Sequence, residues 1–136
     1  MKLIDTNTHL YLPEFDQDRE TMITRALAAG VERMYLPNID STSIPGLFKL
    51  ADQYPGVCFP MIGLHPCSVG VRYADELKVM EHWLKKRKFV AVGEIGIDLY
   101  WEKSFLDQQI DAFQHQIRLA KQYELPIIIH TRSSFE

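Results

Sequence analysis

The chain has 136 residues, of which 46% are hydrophobic and 11% aromatic, a composition that fits one globular domain with an ordinary core. A formal net charge of -3 and a pI near 5.9 give no bulk attraction for polyanions, so any nucleic-acid contact has to come from a local patch or a bound cation. Cys58 and Cys67 form no C-x-x-C pair and read as reduced thiols, no basic leader precedes an apolar stretch, and no run approaches the ~20 apolar residues of a membrane span. The expected location is the cytoplasm, with no membrane contact.

Chain order begins with a short apolar run at 3–4, followed by further runs at 34–36, 57–62, 89–92 and 127–129. Each is too short for a helix and rich in branched residues, as buried strands are. Amphipathic stretches lie between them. Ile23, Ala26 and Leu27 predict a helix ending at Gly30, and Leu47, Leu50 and Ala51 another that starts near Ser43 with Pro45 in its first turn. Leu77, Met80 and Leu84 predict a third, closed by the basic run 85–88, which suits the negative end of a helix dipole better than it suits nucleic acid. In the fourth, Ser104 and Asp107 make a capping-box-like start before a stripe of Leu106, Ile110, Phe113, Ile117 and Ala120. Strands separated by helices, with a repeat of roughly 30 residues, predict βα units and a parallel sheet.

Polar residues follow the apolar runs: Asp5, Asn7 and His9 after the first, Asn38 and Asp40 after the second, His65 after the third, Glu94 and Asp98 after the fourth, and His130 and Arg132 after the fifth. In parallel α/β folds these positions share one rim, the carboxyl ends of the strands, where sites are built. Histidines and carboxylates converging there form a metal-site pattern. Each residue also has a simpler reading. His9 alone after a strand can be a hydrogen-bonded structural residue, and Asn7 beside it offers only a neutral carbonyl oxygen. Glu94 between Gly93 and Gly96 is either ion-paired with Arg132 or a lysine, or a carboxylate bridging one or two ions. Arg132 either grips phosphate or makes a salt bridge to Glu94 or Asp98. His65, in a loop bounded by Gly63 and Pro66, can ligate, contact phosphate or orient its loop. His82 and His115 fall inside helices, away from the rim.

Taken in order, "IDTNTHL" (4–10), "GLHP" (63–66), "GEIGID" (93–98) and "PIIIHTR" (126–132) resemble the TatD family of metal-dependent deoxyribonucleases, amidohydrolase-like TIM barrels. The resemblance implies an α/β fold of the TIM-barrel type, with roughly the first five βα units of an eight-stranded barrel present. It implies a single hydrolase domain over 1–136, incomplete at its C-terminal side. It also implies a centre of two divalent ions, Zn²⁺, Mg²⁺ or Mn²⁺, and phosphodiester hydrolysis on DNA with exonuclease character. Residue by residue, the family's histidine pair falls on Asn7 and His9, its bridging glutamate on Glu94 and its next metal histidine on His130. His65 matches the histidine near the substrate phosphate, and Asp98 and Arg132 match polar positions near the substrate. Metal binding is thus expected at Asn7, His9, Glu94 and His130, catalysis at Glu94, His65 and Asp98, and substrate contact at His65 and Arg132.

The sequence departs from the pattern in two places. Asn7 stands where the family has a metal-binding histidine, and a further histidine and an aspartate of the family centre would lie beyond residue 136. These 136 residues on their own are therefore expected to be inactive, and to self-associate or to need the remaining strands. The alternatives are a non-catalytic half barrel and a related barrel amidohydrolase acting on a small ester or amide.

Overall fold

A computed structural model describes residues 1–135. Five strands, β1 (Leu3–Asp5), β2 (Val31–Leu36), β3 (Cys58–Pro60), β4 (Val92–Asp98) and β5 (Ile127–Arg132), alternate with four helices, α1 (Arg19–Ala28), α2 (Ile44–Gln53), α3 (Tyr73–Lys86) and α4 (Leu106–Gln122). Single 3-10 turns at Pro13–Phe15, Ser41–Ser43 and Pro66–Ser68 follow β1, β2 and β3. All pairings are parallel: β1 with β2, β2 with β3, and β4 with β5. The two sheets meet at a parallel bridge between Ile62 and Val92, reinforced by Gly93 N–H donating to the Ile62 carbonyl at 2.9 Å. The strands thus run in chain order along one parallel curve, as the expected barrel of βα units requires.

The helices cover the outer face. Ile44, Leu77, Met80, Leu84, Phe89 and Leu119 form one buried cluster and Ile23, Met34, Leu36, Leu47 and Leu50 another. Both outer strands have a single neighbour, and their side chains are correspondingly open: Ile4 is 50% and Ile129 54% exposed. No described helix is long and apolar enough to cross a membrane.

Three expectations need correction. The fourth strand was expected at 89–92 but starts at Val92, so Glu94 and Asp98 lie within it, just as His130 and Arg132 lie within β5. Phe89 belongs to the helix-side core, its ring 6.0 Å from that of Phe48. The strand then continues through two glycines that hide its apolar alternation. Their lack of a side chain is what lets β5 approach: a Cβ on Gly93 would sit 2.8 Å from the Ile128 Cβ, and Gly96, at φ +148, would place one on the His130 carbonyl.

The capping box at α4 does not form, because Ser104 N–H and Oγ–H both donate to the Glu102 carboxylate at 2.9 and 2.7 Å, leaving Phe105 at the cap. The buried face of α4 is also rotated from the expected stripe. Leu106 and Ile110 are exposed, whereas Gln109 and Gln116 are buried. Gln116 Oε1 accepts from Leu64 N–H at 2.7 Å, and Gln109 clasps Asp98, accepting from its N–H at 2.8 Å and donating to its carbonyl at 3.0 Å. Two carboxamides thus satisfy backbone groups at the inner ends of β3 and β4, which an apolar stripe would leave unpaired.

Candidate metal centre

Glu94 is the third residue of β4 and is 6% exposed, so its carboxylate is held inside the rim where the strands converge. Its two oxygens face two histidines: Oε2 lies 3.3 Å from His9 Nε2 and Oε1 lies 3.2 Å from His130 Nδ1. The other nitrogen of each ring is already engaged. His9 Nδ1 is 3.3 Å from the Tyr11 hydroxyl, which itself donates to the Pro37 carbonyl at 2.5 Å, so the tyrosine oxygen receives the His9 proton. Burial pushes the Tyr11 phenol pKa far up, which keeps it a donor. His130 Nε2 lies 2.7 Å from Asp98 Oδ2, a carboxylate that takes the ring proton on that side.

The consequence is chemical. With their N–H groups committed outward, both rings turn an unprotonated nitrogen toward a carboxylate oxygen. Lone pair facing lone pair is repulsive unless a cation or a shared proton lies between. The 3.2 and 3.3 Å separations match the roughly 3.3 Å expected of two ligands each about 2.0–2.1 Å from one tetrahedral ion. The donor set therefore fits divalent ions, one toward each oxygen of Glu94.

His65 completes the cluster: one of its nitrogens and donor atoms of Glu94 and His130 all lie within 4.8 Å of one another, and its ring centroid is 4.4 Å from that of His130. His65 Nδ1 accepts from Cys67 N–H at 3.1 Å, which places the ring proton on Nε2. That makes His65 a hydrogen-bond donor into the site rather than a free ligand. Burial first, and then the neighbouring His130 and His9, hold its pKa below the ordinary imidazole value against the pull of Glu94. For Glu94, burial raises the pKa, while the facing His9 together with His65 and His130 lowers it, leaving it below the usual glutamate value. Asp98, 3% exposed, behaves in the same way: burial raises it, and hydrogen bonds from His130, Tyr100 N–H and the Cys67 thiol lower it further.

Asn7 is exposed; its backbone N–H is turned to Asp5 Oδ1 at 3.1 Å, and it lines a groove together with His9, Leu12, Phe15, Ile39 and His65. Arg132 makes no ion pair with Glu94 or Asp98 among the described residues. Its guanidinium carbon sits 3.7 Å above the Tyr100 ring, so the salt-bridge reading of both Glu94 and Arg132 is not what the structure shows. His82 is exposed on α3, and His115 pairs with Glu81 at 2.7 Å between α3 and α4, both outside the cluster as expected.

Tyr11 was missed in the sequence, and Asn38, placed on the rim, was given no role there. Tyr11, two residues after His9, sets that ring's tautomer. Asn38, fully buried, donates to the Gly63 carbonyl at 2.9 Å and accepts from Ser43 at 2.7 Å, while its own carbonyl takes the Glu94 N–H at 3.3 Å, so it ties three strand ends together. The only sequence signal was the position of Asn38 directly after a strand. A mostly apolar cleft of about 590 Å³ lies between the end of β4, the start of α4 and residues 133–135, lined by Ile97, Leu106, Ile110 and Phe135 among others. Ser133 and Ser134 also line it, but no histidine or carboxylate does, and it lies apart from this chemistry.

The sequence family described as TatD related DNase matches residues 4–136. The uncharacterized metal-dependent hydrolase YabD of Bacillus subtilis is 37% identical over 98% of this chain and 52% of its own length, and the 3'-5' ssDNA/RNA exonuclease TatD of a Pantoea species is 29% identical over 98% and 52%. The crystal structure of the TatD homologue YjjV from Escherichia coli superposes with a TM-score of 0.88 at 34% identity, over 97% of this chain and 51% of that one. A TatD family hydrolase from Entamoeba histolytica shares the fold at 21% identity, with a TM-score of 0.78 over 51% of its chain. The chain spans about half the length of the curated relatives it matches, which makes it α/β of the TIM-barrel type and about half a barrel in extent. It belongs to the TatD related DNase family, a family that includes metal-dependent hydrolases.

Proposed function

We propose that these residues carry most of a divalent-metal centre for the hydrolysis of phosphodiester bonds in DNA, with exonuclease character. The observation behind this reading is the pair of imidazole nitrogens, on His9 and His130, that lie 3.3 and 3.2 Å from the two oxygens of Glu94. His9, Glu94 and His130 would hold the ions, with Asn7 Oδ1 offering a weak further donor on the His9 side. The nitrogen-rich set suits Zn²⁺ or Mn²⁺ better than Mg²⁺. Divalent ions, when bound, supply Lewis acidity toward water and toward a phosphoryl oxygen.

The chain's own groups do the rest. His65 donates from Nε2 to a phosphate oxygen, where charge develops during hydrolysis. Arg132 adds positive charge at the rim. Asp98 is a positioning residue: it holds the His130 proton on Nε2 and so keeps Nδ1 turned toward Glu94. The domain assignment follows from the same reading, with 1–136 as one hydrolase unit whose centre takes further ligands from strands beyond β5.

The test uses a 5′-labelled single-stranded oligodeoxynucleotide with these residues joined to the remaining barrel strands of a family relative, since the 136 residues alone are expected to be inactive. Shortening that depends on Mn²⁺ or Zn²⁺ and is lost in Glu94→Gln is the expected result. Shortening that survives Glu94→Gln, or hydrolysis of small esters without any action on DNA, would overturn it; the latter outcome favours a barrel amidohydrolase.

A further inference from the structure

We infer that Tyr100, Trp101 and Arg132 form a stacking platform for a base of single-stranded nucleic acid, set directly beside the donor cluster. The inference rests on the proposed nuclease reading and adds to it the side chains that would hold a base next to the reacting phosphate. Trp101 is 73% and Tyr100 53% exposed, in a chain whose other tryptophan, Trp83, is packed against Phe48 at 4.8 Å. Their rings meet edge to face, with centroids 4.6 Å apart and planes at 86°. Arg132 lies over Tyr100 at 3.7 Å and within 5.7 Å of Trp101, with no carboxylate partner among the described residues. Two exposed aromatic rings in edge-to-face contact, one of them covered by an unneutralised guanidinium, are not explained by packing.

The platform is anchored to the chemistry. Tyr100 N–H donates to Asp98 Oδ1 at 3.0 Å, while the other oxygen of that carboxylate holds His130 at 2.7 Å. Leu99 N–H donates to the Arg132 carbonyl at 3.0 Å, which fixes the loop after β4 to the end of β5. Trp101 forms one wall of a recess of about 260 Å³, shared with Cys67, Asp98 and Phe105. That is slightly below the ~300–1,000 Å³ of pockets that take drug-sized ligands, and so suits a single base. A phosphate held at the donor cluster would thus have its neighbouring base within reach of an aromatic face, and Arg132 carries the charge that complements the connecting backbone. Every base presents a π-face, so the platform is indifferent to sequence. In a duplex those faces are stacked away, so the platform selects single strands.

The test measures anisotropy of a labelled oligothymidylate with the 136-residue chain, in chelator so that nothing is cut. An abasic oligomer of the same length and a perfect duplex serve as competitors. The base-bearing strand is expected to bind about tenfold or more tightly than either, toward the lower end of what aromatic stacking contributes per base. Trp101→Ala should remove that discrimination and Trp101→Phe should restore most of it; because the side chain is exposed, neither change threatens the fold. Equal affinity for base-bearing and abasic strands, no binding of either, or unchanged discrimination in Trp101→Ala overturns the platform. Loss of that binding with metal-dependent shortening intact strikes the platform alone, whereas retained stacking without shortening strikes the nuclease reading alone. Emission from Trp101 that shifts with protein concentration in the absence of any oligomer would identify the surface as a contact between copies and overturn the inference.

Discussion

Asp98→Asn isolates the tautomer argument. The carboxylate accepts twice, from His130 Nε2 at 2.7 Å and from Tyr100 N–H at 3.0 Å. An asparagine keeps one acceptor oxygen, which the backbone N–H of Tyr100 retains because its position is fixed by the chain. The amide NH₂ then faces His130 Nε2 and donates to it, so the ring proton moves to Nδ1. There it points at Glu94 Oε1, 3.2 Å away, and fills the direction an ion would use. Removing outer-shell partners of metal-bound histidines costs 10–100-fold in affinity, and an inverted tautomer should reach about the upper end, near 2.7 kcal/mol. The fold without metal should hardly notice, since a lone-pair contact is replaced by a hydrogen bond. The assay pairs Zn²⁺ or Mn²⁺ titration calorimetry with chemical denaturation in chelator, and imidazole nitrogen shifts report the tautomer directly. For the 136-residue polypeptide the starting affinity is expected to be weak, micromolar or poorer. A variant whose metal affinity stays within twofold, or whose loss of affinity is matched by an equal loss of stability without metal, refutes the reasoning.

Gln116→Ala removes the partner of the buried Leu64 N–H and C=O; at about 1–3 kcal/mol for each orphaned group the loss should be about 2–6 kcal/mol, read as a lowered urea midpoint. In a version that carries the remaining strands of the barrel, Glu94→Ala should abolish metal-dependent hydrolysis, whereas His82→Ala and His115→Ala, on helices away from the rim, should leave it nearly intact; equal losses in all three would displace the site. Glu94 and Asp98 have folded pKa values below their ordinary 4.5 and 3.8, so their contribution to stability is present above those values and lost as pH falls through the lower folded ones. A denaturation midpoint that fails to decline in acid more steeply than that of the Glu94→Gln, Asp98→Asn double variant contradicts this. The open edge of β5, with Ile129 54% exposed, should make the 136-residue polypeptide associate through strand pairing; light scattering that returns a monodisperse 15.8 kDa monomer would exclude it.

The periodicity of the sequence determined the alternation of strands and helices, their number and their parallel pairing, because buried parallel strands need continuous apolar runs and covering helices need one apolar stripe. The same reading placed Glu94, His130, His9 and His65 on one rim, because the carboxyl ends of parallel strands face one way. It could not place the boundaries of β4, where Gly93 and Gly96 break the apolar pattern that the backbone nevertheless continues. Nor could it foresee that α4 buries Gln109 and Gln116 in place of Leu106 and Ile110, since that depends on which backbone groups of other strands arrive beneath the helix. The protons of the site belong to tertiary structure as well. That His9 yields its N–H to Tyr11 and His130 to Asp98, leaving two bare nitrogens on Glu94, follows from distances that, the local His9–Tyr11 contact aside, join residues far apart in the chain. Arg132 shows the difference most plainly: the sequence supplied a guanidinium two residues after His130, and only the approach of β5 to the loop after β4 laid it on Tyr100 rather than on a carboxylate.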